Sequence, residues 1–427
     1  MGCYVARLGT ARYVFFLLIF FVALNAQALN LNGVQGFGID TRAGLAGEVV
    51  KVTTLAGDGE GSLRAALNQP GRRVLVFEVG GVIDLEGRGI EITEPFVTLA
   101  GETAPNPGIT LIRGGISVFT HDVRITHIAV RPGDNGQPLL SGWEPDGIGV
   151  SRAAARDVHI DHVSVSWATD ENMSASGERY KGPSGTSGRV TFSNSIIAEG
   201  LDYSSHKKGK HSKGILIHDN VQEVAVIGNL LAHNDRRNPY FKAHTTGVVV
   251  NNLMYNLGNA AVQLGYIDQE WDQHKTTPRN PTVAVVGNTL IYGRDSYSDL
   301  PLVAYQGDVY LHDNQVLNLN GKPMAQVHGD INLLRKAPLW PKGLQPLALT
   351  EVYEHVLQNV GARPWQRDSI DRRIIDSVRN KTGKIIDSQE EVGGYPHTKA
   401  SYRALKVPAN SADVPAWLES FVPLEYR

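Results

Sequence analysis

Cysteine is nearly absent: Cys3 is the only one in 427 residues, and it precedes an apolar N-terminal run. No disulfide framework can hold such a chain together, so its stability has to come from a large buried core. Net charge is lacking too. Lys and Arg number 41 against 43 Asp and Glu, a formal −2, which excludes a nucleic-acid binder held by bulk charge. Any anionic partner must therefore meet a local basic cluster. Beyond the N-terminus no apolar run approaches the roughly 20 residues that a membrane-spanning helix needs. With 42% hydrophobic and 20% charged residues, the composition is not that of a disordered chain.

What is present begins with an export pattern. Arg7 and Arg12 precede the apolar stretch Val14–Leu24, and Ala26-Gln27-Ala28 follows as a small-residue cleavage site. Residues 1–28 are expected to be a signal peptide, with the mature chain starting near Leu29 in a secreted or periplasmic location. Cys3 lies inside that signal, away from the cleavage point, and is not placed for lipidation.

Short β-branched runs then recur, each ending in a polar residue followed by further apolar ones. They lead to His127, His162, Asn194, Asn229, Asn252, Asn288 and Asn314, at intervals of 35, 32, 35, 23, 36 and 26 residues. Strand-length runs with a polar corner and a near-regular period define a solenoid, each coil burying its apolar face on the next. The shortest interval is about one coil, and the longer ones carry inserted loops. Asn suits a corner because it tolerates left-handed backbone angles and bonds nearby backbone. The Asn and His corners are expected to stack as one ladder, so His127 and His162 are read as corner residues and not metal ligands. A β-sandwich also repeats strands, but at closer spacing and through hairpins.

The expected fold is all-β, a right-handed parallel β-helix over residues 29–334. Gly61-Ser62-Leu63-Arg64-Ala65-Ala66-Leu67 reads as a short capped helix covering its open N-terminal end. Past Leu334 the repeat stops. Thr350 to Val360 reads as a helix with Thr350 as N-cap, burying Val352, Val356, Leu357 and Val360 and ending at Gly361. The rest of 335–427 is expected to be a loop-rich, partly helical extension that packs on the coils or caps them.

Four constellations share a phase relative to the repeat. Asp146-Gly147-Ile148 carries a carboxylate into a strand, and Thr169-Asp170-Glu171 follows the strand containing His162. The stretches His206 to Lys213 and Arg236 to Lys242 are both basic. Residues leaving equivalent strands of successive coils share one face. Acids from two coils then sit beside cations from the next two, a group fit for a hard cation against a wall fit for a polyanion. Taken singly, an acid pair is usually a solvated turn and a Lys/His run surface charge. Their common phase is what points to a site.

These segments resemble the pectate lyases of polysaccharide lyase family 1. The likeness runs from Gly36-Phe37-Gly38 through Ile160-Asp161-His162, Thr169-Asp170-Glu171, His211-Ser212-Lys213-Gly214 and Ala232-His233-Asn234 to Arg237-Asn238-Pro239. It ends at Ile386-Asp387-Ser388-Gln389 and Gly393-Gly394-Tyr395-Pro396, and so covers nearly the whole mature chain. The resemblance implies β-elimination on polygalacturonate with calcium (Ca2+) as cofactor. Arg237 matches the arginine that removes the C5 proton, and Lys213 the lysine that holds a uronate carboxylate near calcium. Lys242 stands where the family usually has a carboxylate-binding arginine; Arg236, Lys208 and His211 are further substrate-binding candidates. Asp146 and Asp170 match calcium ligands. Many members have another acid four residues on, where this chain has Ser174, so Glu171 or the substrate has to complete the set. The expectation is a secreted, monomeric pectate lyase without a nucleic-acid partner, with pectin or another polyuronate as the alternative substrate.

The chemistry agrees with those residue types. Loss of the C5 proton leaves negative charge on the uronate carboxylate, where a cation stabilises it. A free guanidinium, with pKa near 13, is protonated at neutral pH, and neighbouring cations such as Lys213, Lys242 and Arg236 favour its neutral form. A hydrolase on the same fold would need two carboxylates flanking the bond, which the adjacent Asp170 and Glu171 do not offer. An inert polysaccharide-binding β-helix would have no use for Arg237 together with Lys213.

Overall fold

A computed structural model describes residues 1–2, 35–274 and 276–427, so the expected signal peptide lies, but for its first two residues, outside the described residues. Each turn of the chain supplies three short strands, and each strand pairs in parallel with its equivalent one coil on. Arg156–Asp161 pairs with Gly188–Ser193, Ser164–Ser166 with Ile196–Ala198, and Glu171–Ala175 with Lys213–Ile217. Repetition of these three pairings along the axis builds a parallel β-helix. Its interior is a continuous, mainly Val, Ile and Leu stack from all three columns, among them Val158, Val165, Val190, Ile197 and Ile215 with Met173, each fully buried. Full burial contributes about 1.5–3 kcal/mol per such side chain, which is how a chain without disulfides is held.

The polar corners form two adjacent columns, not the single ladder expected. His127, His162 and Asn194 have left-handed backbone (φ 58°, 48° and 47°). The residues equivalent to them in later coils are Gly228, Asn251, Gly287 and Asp313, again with φ between 50° and 67°. Asn229, Asn252, Asn288 and Asn314 each stand one residue later and stack as a ladder of their own. Successive side-chain amides bond at 3.0 Å, and the Asn252 carbonyl oxygen also accepts from Asn229 N at 2.9 Å. The reason is a division of labour. The corner residue must tolerate positive φ, which Gly does freely. The next residue points inward and must satisfy buried backbone. His127 and His162 do stack on each other, with centroids 5.0 Å apart.

Helix α1 (Leu63–Leu67) forms as expected, with Ser62 Oγ accepting from Ala65 N, and buries Leu63, Ala66 and Leu67 at the end of the core. Helix α2 spans Leu349–Asn359 and starts at Ala348 with no side-chain cap, so Thr350 is not its N-cap. The start is set from outside: Leu347 N donates to Asn251 Oδ1 at 2.8 Å, anchoring the tail to the corner column just before the first turn. Helix α3 (Ser369–Arg379), a second helix in the extension expected to be loop-rich and partly helical, is capped by Asp368, which accepts from Ile370 N and Asp371 N. Its Ile370, Ile374, Ile375 and Val378 join Val352, Val356 and Leu357 of α2 against Trp167, Ile196, Leu230 and Leu253. The signal for it was present: an acidic cap followed by apolar residues at helical spacing. Helix α4 (Val414–Glu419) covers Val74, Val76 and Ala100. The extension after Leu334 thus covers outer faces of the coils, leaving uncovered the column that carries the acids and bases.

Candidate active site

Parallel register stacks the chemistry. Ile148 pairs with Met173, which puts Asp146 beside Glu171, and Glu171 pairs in turn with Lys213. Lys213 forms a further bridge with Arg236. Four successive coils therefore deliver Asp146, Asp170 with Glu171, Lys213, and Arg236 with Arg237 to one face. Behind them Asn172, Asn234 and Asn238 are buried and linked, Asn172 Nδ2 to Asn234 Oδ1 at 3.2 Å and Asn234 Nδ2 to Asn238 Oδ1 at 3.1 Å. This inner amide chain fixes the residues on either side of it, including Arg237, whose backbone is left-handed (φ 63°).

Asp146, Asp170 and Glu171 bring carboxylate oxygens within 4.8 Å of one another. Burial and then the charge of Asp170 push the Asp146 carboxyl up to about 7. Ser174, at the place of the expected second acid, donates its hydroxyl to Asp146 Oδ2 at 2.6 Å. Burial also acts to raise Asp170, but a 2.7 Å hydrogen bond with His211 and nearby positive charge outweigh it and hold that carboxyl below its usual value. His206 stacks on His211 at 3.6 Å. Crowded carboxylates of which one resists ionising, with only oxygen donors, fit a hard divalent cation, whose charge relieves the repulsion.

The basic side adjoins directly. Lys213 is buried, and desolvation followed by Arg236 draws its ammonium down to about 8. Burial likewise lowers the Arg237 guanidinium, although Asp170 opposes this. Arg237 Nη1 contacts Glu171 Oε1 directly, and its guanidinium lies 5.9 Å from the Tyr240 ring centre. A groove of about 720 Å³ is lined by Lys210, His211, Lys213, Arg236, Arg237 and Tyr240, and continues past Gln263 to Tyr266 and Tyr305.

Two expected residues behave differently. Lys208 is on an exposed turn and does not line the groove, which Lys210 reaches instead on the far side of the left-handed turn at Gly209 (φ 81°). Lys242 is buried and already paired, to Glu270 at 2.6 Å and Asp219 at 3.5 Å, so its ammonium is not free in this state. His211 lines the groove while its Nε2 is engaged by Asp170, and Arg236 pairs with Asp235 at 2.8 Å.

No protein-family model matches the chain. A probable pectate lyase C of Aspergillus flavus is 33% identical over 374 residues, covering 85% of this chain and 80% of the relative. The chain belongs to the pectate lyase family. It is thereby a polysaccharide lyase. A probable pectate lyase C of Emericella nidulans is 32% identical over 373 residues, at 85% and 79% coverage. Among solved structures, the cedar pollen allergen Jun a 1 superposes with a TM-score of 0.56 at 17% identity, covering 75% of this chain and 91% of its own. A Bacillus subtilis pectate lyase variant gives 0.50 at 10% identity, covering 77% and 96%. At such identities these structures speak for the pectate lyase fold alone.

Tyr240, Tyr266, Tyr305 and Glu270 are groove or near-groove residues that the sequence did not flag. Tyr240 was within reach, since it sits inside the Arg236 to Lys242 stretch. Tyr266 and Glu270 belong to a loop inserted between coils, where nothing local marks which face they will cover, and Tyr305 lies in the strand Val303–His312, which carries none of the corner motif near it.

Proposed function

We propose that the protein is a calcium-dependent pectate lyase, cleaving α-1,4-linked polygalacturonate by β-elimination to leave 4,5-unsaturated oligogalacturonides. The observation that carries this reading is a desolvated arginine, Arg237, that shares a groove with a buried lysine and contacts the carboxylate trio through Glu171. Asp146, Asp170 and Glu171 would hold the calcium ion, which when bound supplies positive charge to the substrate carboxylate. Lys213 sits one coil from that trio and adds its own charge to the same carboxylate. Burial favours the neutral form of Arg237, whose guanidine accepts the C5 proton. The electron pair of the broken C5–H bond forms the C4=C5 double bond. The C4–O bond then breaks, its electrons leave on the glycosidic oxygen, and solvent water supplies the proton that oxygen takes up. Arg236 and Lys210 line the rest of the groove and favour unesterified, anionic chain.

Glu171 has two claims on it. Paired to Arg237 it holds the guanidinium protonated; drawn toward a cation it loosens that hold and frees the base. The test is ultraviolet absorbance of unsaturated uronate during incubation with polygalacturonate. Absorbance should rise with calcium, stop on chelation and return on re-addition. No rise in any condition refutes a lyase, and full activity in excess chelator refutes the metal.

A further inference from the structure

We propose that the far end of the groove is a subsite for an uncharged, methyl-esterified galacturonate, built on Tyr305 and Tyr297. The inference rests on the pectate lyase reading above and adds which sugar of a mixed chain the groove takes at which point. The groove follows the coils, and its charge changes along them. Register runs from Tyr240 to Gln263, from Gln263 to Ala304 and from Ala304 to His328. Each step is one coil, about 4.8 Å. The first two coils give the groove Lys210, Lys213, Arg236 and Arg237. The next three give it Gln263, Tyr266, Tyr305, Gln306 and Asp330, and no lysine or arginine lines that stretch. A second cavity of about 260 Å³ opens beside it, sharing Tyr305 and Gly329 and adding Tyr297, Asp299 and His328, again with no lysine or arginine in its lining.

Tyr305 is held in place at a cost that the core does not return. It is 45% exposed, so burial of its ring contributes little. Yet its backbone is left-handed (φ 82°), which is costly for a bulky side chain and persists where function demands it. The next coil makes room for it: Gly329 lies opposite, with φ 100°, and a Cβ there would stand 2.4 Å from the Tyr305 carbonyl oxygen. Tyr297 is more exposed still, at 56%, and Tyr266 is fixed by Gln306 Nε2, which donates to its Oη at 2.9 Å. A tyrosine ring offers an apolar face to the C–H face of a pyranose. Charge then selects among sugars. Asp299 and Asp330 repel a uronate carboxylate, and Arg236, whose charge reaches both tyrosines, is already paired to Asp235 at 2.8 Å. A methyl ester removes the charge and adds an apolar group, so it suits this end as the free acid suits the other. Tyr305 stands two coils past Tyr240, about 10 Å on, so the ester belongs beyond the sugars at the cleaved bond.

The test is calorimetric titration of two saturated hexagalacturonates, one unesterified and one half methyl-esterified, in chelator so that binding is read apart from turnover. Melting curves are recorded alongside. Tyr305→Ala and Tyr297→Ala should each weaken the half-esterified hexamer about fivefold, the worth of one aromatic contact, and the unesterified one by less than about twofold. Tyr305→Phe, which keeps the ring, should recover most of the loss. Asp330→Lys should tighten the unesterified hexamer about threefold and leave the half-esterified one behind. Asp330 is exposed, so that variant keeps the test decisive if a tyrosine truncation unfolds. Equal losses on both hexamers, or no loss on either, overturn the subsite, as does an Asp330→Lys protein with unaltered preference. Failure of the pectate lyase reading shows separately, as wild type that releases no unsaturated product from polygalacturonate with calcium.

Discussion

Removing Arg237 tests the proposed base and the double claim on Glu171 at once. The Glu171 side chain is only 5% exposed and that of Arg237 23%, so Arg237→Ala strands a nearly buried carboxylate. Breaking such a pair costs about 3 kcal/mol, the low end for buried pairs because the groove stays open to water. In a chain this long that is a fall of about 4 °C in melting temperature. The rate loss should be far larger in relative terms, about 10³-fold in kcat, as expected when a positioned base is lost. Arg237→Lys separates the two effects. An ammonium can still answer Glu171, so most of the stability returns, while the planar guanidine that takes the proton does not. Calcium adds a third readout. With Arg237 gone, Glu171 is free for the cation, so added calcium should raise the melting temperature of Arg237→Ala more than that of wild type. The assays are steady-state kinetics on polygalacturonate and thermal melts with and without calcium. An Arg237→Lys enzyme with near-normal kcat would remove Arg237 from the role of base. Equal calcium shifts in variant and wild type would refute the sharing of Glu171.

Three further outcomes are expected. Burial holds His127 down to about 3 and His159 and His233 to about 4, so all three stay neutral in the fold while the unfolded chain takes up their protons below about 6.5. Their contribution to stability is present above pH 6.5 and lost as pH falls toward 4, at up to about 1.4 kcal/mol per pH unit for each; denaturant titrations that show flat or rising stability over that range would contradict it. Asn252→Ala leaves Asn229 N without its acceptor and Val226 O without its donor inside the ladder, and should cost about 2–4 kcal/mol without changing KM; a loss below 1 kcal/mol in urea unfolding would mean the ladder is slack. Secreted material should begin near Leu29, and N-terminal sequencing that starts well before Ala28 would refute the reading of Ala26-Gln27-Ala28 as a cleavage site.

The sequence by itself determined the architecture, because a solenoid writes its period into the chain. Each coil repeats the same local demand, apolar alternation and then a residue at ease with positive φ, and such demands are readable without tertiary contacts. The same periodicity carried Asp146, Asp170, Glu171, Lys213 and Arg237 onto one face, since parallel register preserves phase from coil to coil. What it left open is a matter of single residues and of loops. Gly228 and Asn229 stand side by side, and only the pairing of Ser193 with Ile227 shows which of them turns the corner. Helix α3 had its signal in Asp368 and Ile370 but no strand period to announce it. The state of Lys242 was beyond the sequence altogether. Its partners, Asp219 and Glu270, come from the coil before and from a loop after it, and Arg179 comes from a third insertion. Loops of unequal length have no phase, so which charge they fold back onto is decided by the space the finished coils leave them.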